Sequence, residues 1–389
     1  MTDVLVSGLT KYYGTKPALR SLDLSIGSGE FVTLLGPSGC GKTTTLRCLA
    51  GLERPTAGKI TLGGRVVVDT DRSLFVPPDK RHVGMVFQSY ALWPHMNVAE
   101  NIAYPLKVAR VPRPERVSRV RELLEAVGLT AFERRQVTAL SGGQQQRVSL
   151  ARALAARPGI VFYDEPLSNL DTKLRYQMGQ QVRSLHNQFE TTSVYVTHDQ
   201  EEAITLSDRI IVMNHGLIEQ EGTPEEIYDR PRSAYVADFM GFQNIVRGTV
   251  IERGDERVGV RLLDSEIVLG AYADADLSLP LGAEVTVAFR AEHVRLAPAG
   301  SVAIGRVRGT IKRTTFVGSG YNLLVDARGT TMRIRIARSE LDSHDLSTPA
   351  PGEEISFDVN PRRALIVADE AGMSRPHATQ AVRLPAPIR

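Results

Sequence analysis

Eight consecutive residues, Gly36-Pro37-Ser38-Gly39-Cys40-Gly41-Lys42-Thr43, carry the residue types needed to hold the phosphates of a nucleotide. They fit the pattern G-x-x-x-x-G-K-[ST]. The glycines let the backbone turn tightly and aim successive N–H groups at a polyanion. Lys42 adds a mobile positive charge for the outer phosphates, and the Thr43 hydroxyl is a ligand for Mg²⁺. The flanks agree: Phe31-Val32-Thr33-Leu34-Leu35 is a short apolar run of β type. Thr44 through Ala50 reads as a helix whose N-terminal dipole favours negative charge. Downstream, Ile160-Val161-Phe162-Tyr163-Asp164-Glu165 is an apolar strand ending in two acids. Carboxylates there stand where open α/β sheets bind their ligands. Asp164 suits the Mg²⁺ shell, with Thr43 on the ion directly. Glu165 suits a general base that polarises the water attacking a γ-phosphate.

A third run, Leu140-Ser141-Gly142-Gly143-Gln144-Gln145-Gln146-Arg147, puts a Ser-Gly-Gly turn at the start of a helix reaching to about Ala156. A hydroxyl, bare N–H groups and a helix N-terminus make another anion site. An ordinary serine cap has the same local sequence. A chain with one phosphate loop has no obvious need for a second such site. Two copies packed head to tail would use it, each helix covering the nucleotide held by the other.

The elements that must position these groups follow from composition and periodicity. At 389 residues, with 42% hydrophobic and 23% charged, the chain has room for two or three globular domains. A net charge of +3 is too small to argue for nucleic acid. The two cysteines, Cys40 and Cys48, lack metal-site spacing and suit a reducing cytoplasm. The N-terminus lacks a secretory pattern, and no apolar run approaches the ~18 residues that cross a bilayer. Up to about residue 240 strands and helices alternate, which predicts an α/β domain. Thr223-Pro224-Glu225-Glu226 sets a cap, a first-turn proline and a capping-box glutamate in register. Arg113-Pro114-Glu115 opens a helix to Val127 that Gly128 ends, and residues 88–157 read as a helical insertion. After Gly241, period-two segments such as 284–290 and 331–336 predict a small all-β domain, sandwich or barrel. Turns at Arg253-Gly254-Asp255 and Val317-Gly318-Ser319-Gly320 separate its strands. Residues 371–389, rich in Ala, Pro and Arg, read as disordered.

The Leu-Ser-Gly-Gly-Gln run, lying between the phosphate loop and Asp164-Glu165, resembles the signature motif of the ABC ATPase family. Other family elements match in order. Tyr13 resembles the aromatic that stacks on adenine, and Gln88 the glutamine that reaches Mg²⁺ and the attacking water. Ser168-Asn169-Leu170-Asp171 is similar to the loop that crosses the dimer interface. His198 resembles the histidine that contacts the γ-phosphate. Each residue alone has an ordinary structural reading, but not all of them in family order. Tyr163 stands where an aliphatic residue is commoner in the family. The β-rich remainder resembles, more weakly, the accessory domain of bacterial importer subunits for maltose, polyamines, ferric iron and phosphonate. The segment from Gln88 to Val98 looks most like that importer group, in which it helps form the groove for a short helix of the membrane subunit. Tyr90, Leu92, Trp93 and Met96 crowd large apolar groups into a turn before a helix with Asn97 as its cap, either local core or a docking patch.

The resemblance therefore implies a P-loop NTPase domain (ABC ATPase) of α/β class with a helical insertion at 1–240, followed by a small all-β, OB-like accessory domain at 241–370. It implies ATP and Mg²⁺, with Gly36 to Thr44 and Tyr13 of one copy on the nucleotide. Ser141, Gly142, Gly143, Gln144 and Asp171 would come from the other copy of a homodimer. Glu165, His198 and Gln88 would be catalytic, and Thr43, Gln88 and Asp164 would hold the metal. Implied partners are integral-membrane permease subunits at Tyr90, Leu92, Trp93 and Met96 and an external solute-binding protein, with no nucleic acid. The setting would be the cytoplasmic face of the inner membrane, peripherally. The expected role is solute import, ferric iron or polyamine, with phosphonate, sugar or sulfate as alternatives. A DNA-repair ATPase is the rival, but such proteins carry zinc CxxC pairs or long heptad coils, and this chain has neither.

Overall fold

The computed structural model describes residues 3–254, 257–263, 265–273, 279–297, 306–343 and 348–368. The tail expected to be disordered, and Asp255 of one expected turn, lie outside the described residues. The chain divides into two compact units, Met1–Arg230 and Pro231–Arg389.

In chain order the strands of the first unit are β1 (Val4–Tyr13), β2 (Lys16–Ile26), β3 (Phe31–Leu35), β4 (Ala57–Leu62), β5 (Arg65–Asp69), β6 (Leu74–Phe75), β7 (Val83–Val86), β8 (Ile160–Asp164), β9 (Thr192–Thr197), β10 (Arg209–Asn214) and β11 (Leu217–Gly222). Its helices are α1 (Lys42–Ala50), α2 (Val98–Val108), α3 (Arg113–Ala126), α4 (Gly142–Leu154), α5 (Thr172–Phe189), α6 (Gln200–Leu206) and α7 (Pro224–Asp229). One sheet has the order β2-β1-β4-β5-β6 and is antiparallel. The other runs β11-β10-β3-β9-β8-β7, parallel from β10 to β7.

Every residue of β3, β8 and β9 is buried, as a parallel strand covered on both faces requires. Alternation divides them between two cores. Phe31, Val161, Tyr163 and Tyr195 face the helices α2 to α5. Val32, Leu34, Phe162 and Val194 face α1 and the antiparallel sheet. Tyr163 is accommodated by stacking on Phe31, with ring centroids 6.2 Å apart. The region 88–157 holds α2, α3 and α4 joined by two 3₁₀ turns. Helix starts follow side-chain chemistry: Asn97/Glu100, Ser141/Gln144 and Thr223/Glu226 each form a capping box.

The second unit contains α8 (Ala234–Phe239) and then β12 (Asn244–Arg253), β13 (Arg257–Leu262), β14 (Val268–Tyr272), β15 (Glu284–Phe289), β16 (Val294–Leu296), β17 (Arg306–Phe316), β18 (Gly320–Ala327), β19 (Thr330–Ala337), α9 (Arg338–Ser343), β20 (Glu354–Val359) and β21 (Leu365–Val367). Strands β12-β13-β14-β21-β15 close into a barrel, and β16-β20-β17-β18-β19 form a further sheet. Both line one core: Val260, Leu269 and Phe289 come from the barrel, and Val325, Ile334 and Phe357 from the sheet. Helix α8 packs within the second unit. Ser233 pairs with Ala368, and Ala237 and Phe242 pack on Ala288 and Val367.

Candidate active site

Four neighbouring parallel strands bring the chemistry to one edge. Leu35, which precedes Gly36, pairs with Thr197, which precedes His198. Asp164 pairs with Val196, and Tyr163 with Val86, two residues before Gln88. Residues far apart in sequence thus meet at the C-terminal ends of β3, β9, β8 and β7, where α/β sheets hold ligands.

The two end glycines of the loop, Gly36 and Gly41, have no room for larger residues. Gly41, at φ +112°, is the N-cap of α1, and a Cβ there would sit 2.8 Å from the Ala18 carbonyl. A Cβ on Gly36 would collide with the Met213 carbonyl. No side chain caps α1, so its first-turn N–H groups remain available to an anion. Lys42 is 3% exposed, and its Nζ donates to the Gly36 and Pro37 carbonyls at 2.7 and 2.9 Å. Beside the loop runs a groove of about 320 Å³ between Lys16, Ala18 and Arg20 on one wall and Ser38, Gly39 and His215 on the other. Tyr13 is 49% exposed, with the Lys11 ammonium 4.9 Å over its ring. Burial raises the thiols of Cys40 and Cys48, the latter to about 12, and so suppresses thiolate chemistry.

Thr43 Oγ1 donates to Asp164 Oδ1 at 3.2 Å. Burial raises the Asp164 carboxyl above its ordinary range, against the opposing pull of Arg47 and Thr43. Among the described residues no group of three His, Cys, Asp or Glu side chains could hold a metal alone. One hydroxyl and one carboxylate, both hard oxygen donors, fit a Mg²⁺ that takes its remaining oxygens from phosphate and water. Glu165 Oε2 lies 3.2 Å from His198 Nδ1. Glu165 itself is left-handed, φ +43°, and is held by its N–H on the Val196 carbonyl at 3.1 Å. Gln88 does not bond to Thr43 or Asp164 here. Its Nε2 donates to Ser168 Oγ at 3.3 Å, and Ser168 Oγ donates to the Glu165 carbonyl at 3.0 Å.

Ser141, Gly142, Gly143 and Gln144 stand at the head of α4, and their hydrogen bonds are local. Ser141 Oγ accepts from the Gln144 N–H at 3.4 Å, and Gln144 Oε1 from the Ser141 N–H at 3.0 Å. Asp171 caps α5, accepting from the Leu174 N–H at 3.0 Å. In the segment from Tyr90 to Met96, Tyr90, Leu92, Trp93 and Met96 are half-buried, while Ala91, Pro94 and His95 are exposed. Leu92 packs on the helical core, while the Trp93 ring lies tilted against Tyr104, centroids 4.1 Å apart, and under the Arg152 guanidinium at 4.9 Å. A groove of about 360 Å³ opens between Met85, Phe87, Trp93, Pro105 and Arg152.

Sequence reasoning missed several of these groups. Arg47, 3.8 Å from Asp164, follows Thr43 by four residues and so shares its helix face. Arg175 stands in the same relation to Asp171. Arg152 has no local signal, because its partners, the carbonyls of Tyr90 and Ala91, lie some sixty positions earlier.

A phosphate loop ahead of a helix, with paired acids at the end of a parallel strand one place removed in the same sheet, defines the P-loop NTPase fold. Two family models match the chain: ABC transporter over residues 19–168 and TOBE domain over residues 287–367. A trehalose/maltose import ATP-binding protein of Thermococcus litoralis is 50% identical over 65% of this chain and 69% of its own. A Fe(3+) ions import ATP-binding protein of Photorhabdus laumondii is 42% identical over 94% of this chain and 97% of its own. A spermidine/putrescine import ATP-binding protein of Rubrobacter xylanophilus is 41% identical over 95% and 94%. A dimeric ATP-binding cassette solved in a post-hydrolysis state with ADP and Pi is 34% identical, with TM-score 0.50, over 57% of this chain and 98% of that one. The chain belongs to the ABC transporter family, as an ATP-hydrolysing subunit with a C-terminal TOBE domain.

Proposed function

We propose that this subunit hydrolyses ATP to energise import of ferric iron or a polyamine through a membrane permease. One observation carries the ATPase chemistry: the Glu165–His198 pair, 3.2 Å apart, follows β8 and β9, the two strands next in line after β3, which feeds the phosphate loop. Lys42 and the first-turn N–H groups of α1 hold the phosphates, and Tyr13 stacks on the base. When bound, Mg²⁺ neutralises charge on the phosphate oxygens, and Thr43 and Asp164 would hold it, with Gln88 approaching when the loop moves. Glu165 takes the proton of the attacking water as it bonds to the γ-phosphorus. The β–γ bridging oxygen then leaves on ADP. His198, with Nδ1 beside the Glu165 carboxylate, keeps its other ring nitrogen, Nε2, for the γ-phosphate. The rest is positioning and electrostatics around a loose transition state.

The second half-site is Ser141, Gly142, Gly143 and Gln144 with Asp171, presented by another copy of this chain packed head to tail. Its support is the anion-binding chemistry at the head of α4, together with the dimeric solved cassette. Permease subunits dock at Tyr90, Leu92, Trp93 and Met96, beside the groove walled by Trp93 and Arg152. This makes the protein peripheral on the cytoplasmic face of the inner membrane, with an external binding protein delivering solute. Met1–Arg230 is the body of the nucleotide-binding domain, and the β-rich part from about residue 241 an accessory domain. The iron or polyamine reading is favoured because relatives named for those solutes match over 94% and 95% of this chain, and the sugar relative over 65%.

Glu165→Gln should keep ATP affinity, lower kcat by on the order of a hundredfold or more and trap an ATP-dependent dimer visible by light scattering. Undiminished hydrolysis would overturn the role of Glu165. Uptake of labelled ferric iron and putrescine by cells carrying wild type or Glu165→Gln tests the solute. Loss of phosphonate, sugar or sulfate uptake instead would redirect it.

A further inference from the structure

The loop Ser168–Asp171 leads into α5, and one side chain on the first turn of that helix reaches back across it. Arg175 Nη2 donates to the Leu170 carbonyl at 3.1 Å. Its Nη1 donates to Asp199 Oδ2 at 2.9 Å, and its Nε lies 3.7 Å from Glu202 Oε1. Asp199 follows His198 directly and is held by three hydrogen bonds besides the one from Arg175. Its Oδ1 accepts the Glu201 and Glu202 N–H groups at 2.8 and 3.1 Å, and its own N–H donates to Thr197 Oγ1 at 3.0 Å. Glu202 is anchored in turn by the hydroxyl of fully buried Tyr195, at 2.8 Å. At its other end the same loop is tied to the catalytic strand, through Ser168 Oγ on the Glu165 carbonyl.

A cation in the first turn of a helix opposes the helix dipole, so helix stability alone does not select arginine here. What selects it is the planar fork, which satisfies a main-chain carbonyl and a carboxylate at once; a point charge on a lysine stem cannot. We propose that Arg175 is a positioning residue that couples the Ser168–Asp171 loop to His198 and Glu165, so that a second copy pressing on the loop sets the geometry of the catalytic pair. The inference rests on the head-to-tail reading given above.

The test compares Arg175→Met and Arg175→Lys with wild type in full-length protein, measuring ATP affinity, kcat, the Hill coefficient for ATP and thermal stability. Arg175→Met should lower kcat by on the order of ten- to a hundredfold and bring the Hill coefficient toward unity, because sub-ångström misalignment is costly in rate. ATP affinity should stay within about threefold, since no phosphate-binding group is touched. Arg175→Lys should recover part of the rate. Wild-type rate and cooperativity in Arg175→Met would overturn the proposal, as would affinity and melting temperature falling together with the rate. Glu165→Gln run in parallel separates the two claims. If its ATP-loaded form dimerises while Arg175→Met behaves as wild type, only the coupling fails; if it stays monomeric, the head-to-tail reading itself fails.

Discussion

Asp164 shows how one residue trades stability for chemistry. Burial raises its carboxyl pKa above the ordinary value, so the folded chain binds the proton more tightly than the unfolded chain. The ionised carboxylate is therefore a burden, and its contribution to stability falls as pH rises through the carboxyl range. Asp164→Asn should melt higher than the parent at pH 7, by a margin that shrinks as pH drops toward 4, while losing Mg²⁺-dependent turnover. Calorimetry across that range checks it; a variant less stable at pH 7 would contradict the account. Glu165 carries a related load. Its left-handed backbone, φ +43°, costs about 1–3 kcal/mol and persists because the Val196 carbonyl and Ser168 hold it on both sides.

At the scale of elements, α4 links two regions of the site. Its N-terminus presents Ser141, and two turns later Ser149 and Arg152 hold the Tyr90 and Ala91 carbonyls at 3.1, 2.9 and 2.5 Å. Tyr90 and Ala91 are both left-handed, with φ +62° and +49°, so these bonds support a turn the chain would otherwise avoid. Burial pushes the Arg152 guanidinium down to about 10, which makes its hydrogen bonds the chief compensation for a buried cation. Arg152→Met should destabilise the first unit by about 2 kcal/mol in urea unfolding, the value of hydrogen bonds to a charged donor. A change confined to permease binding, with stability intact, would instead make Arg152 a docking residue alone.

At the scale of the whole molecule, each unit owns its core. The two large clusters around the parallel sheet draw only on residues of Met1–Arg230, and the barrel cluster only on the later unit. A fragment ending at Arg230 should fold cooperatively and bind ATP with affinity within about tenfold of the full chain. Circular dichroism melting with nucleotide titration checks this, and a molten fragment would show that the first unit depends on the second. No helix among the described residues is long and apolar enough to cross a membrane.

Local chemistry alone determined much of this protein: the phosphate loop, the caps at Asn97 and Ser141, the capping box at Thr223, and the buried strands that end in Asp164 and beside Gly36. Those signals are legible because turns, caps and side-chain periodicity act over a few residues. Only tertiary structure decided that β9 lies between β3 and β8, and therefore that His198 meets Glu165. It also closed a barrel through the distant β21 and folded Arg175 onto both Leu170 and Asp199. Parallel strands are ordered by burial on two faces and by crossover helices, and side-chain spacing along one strand does not record which neighbour it will have.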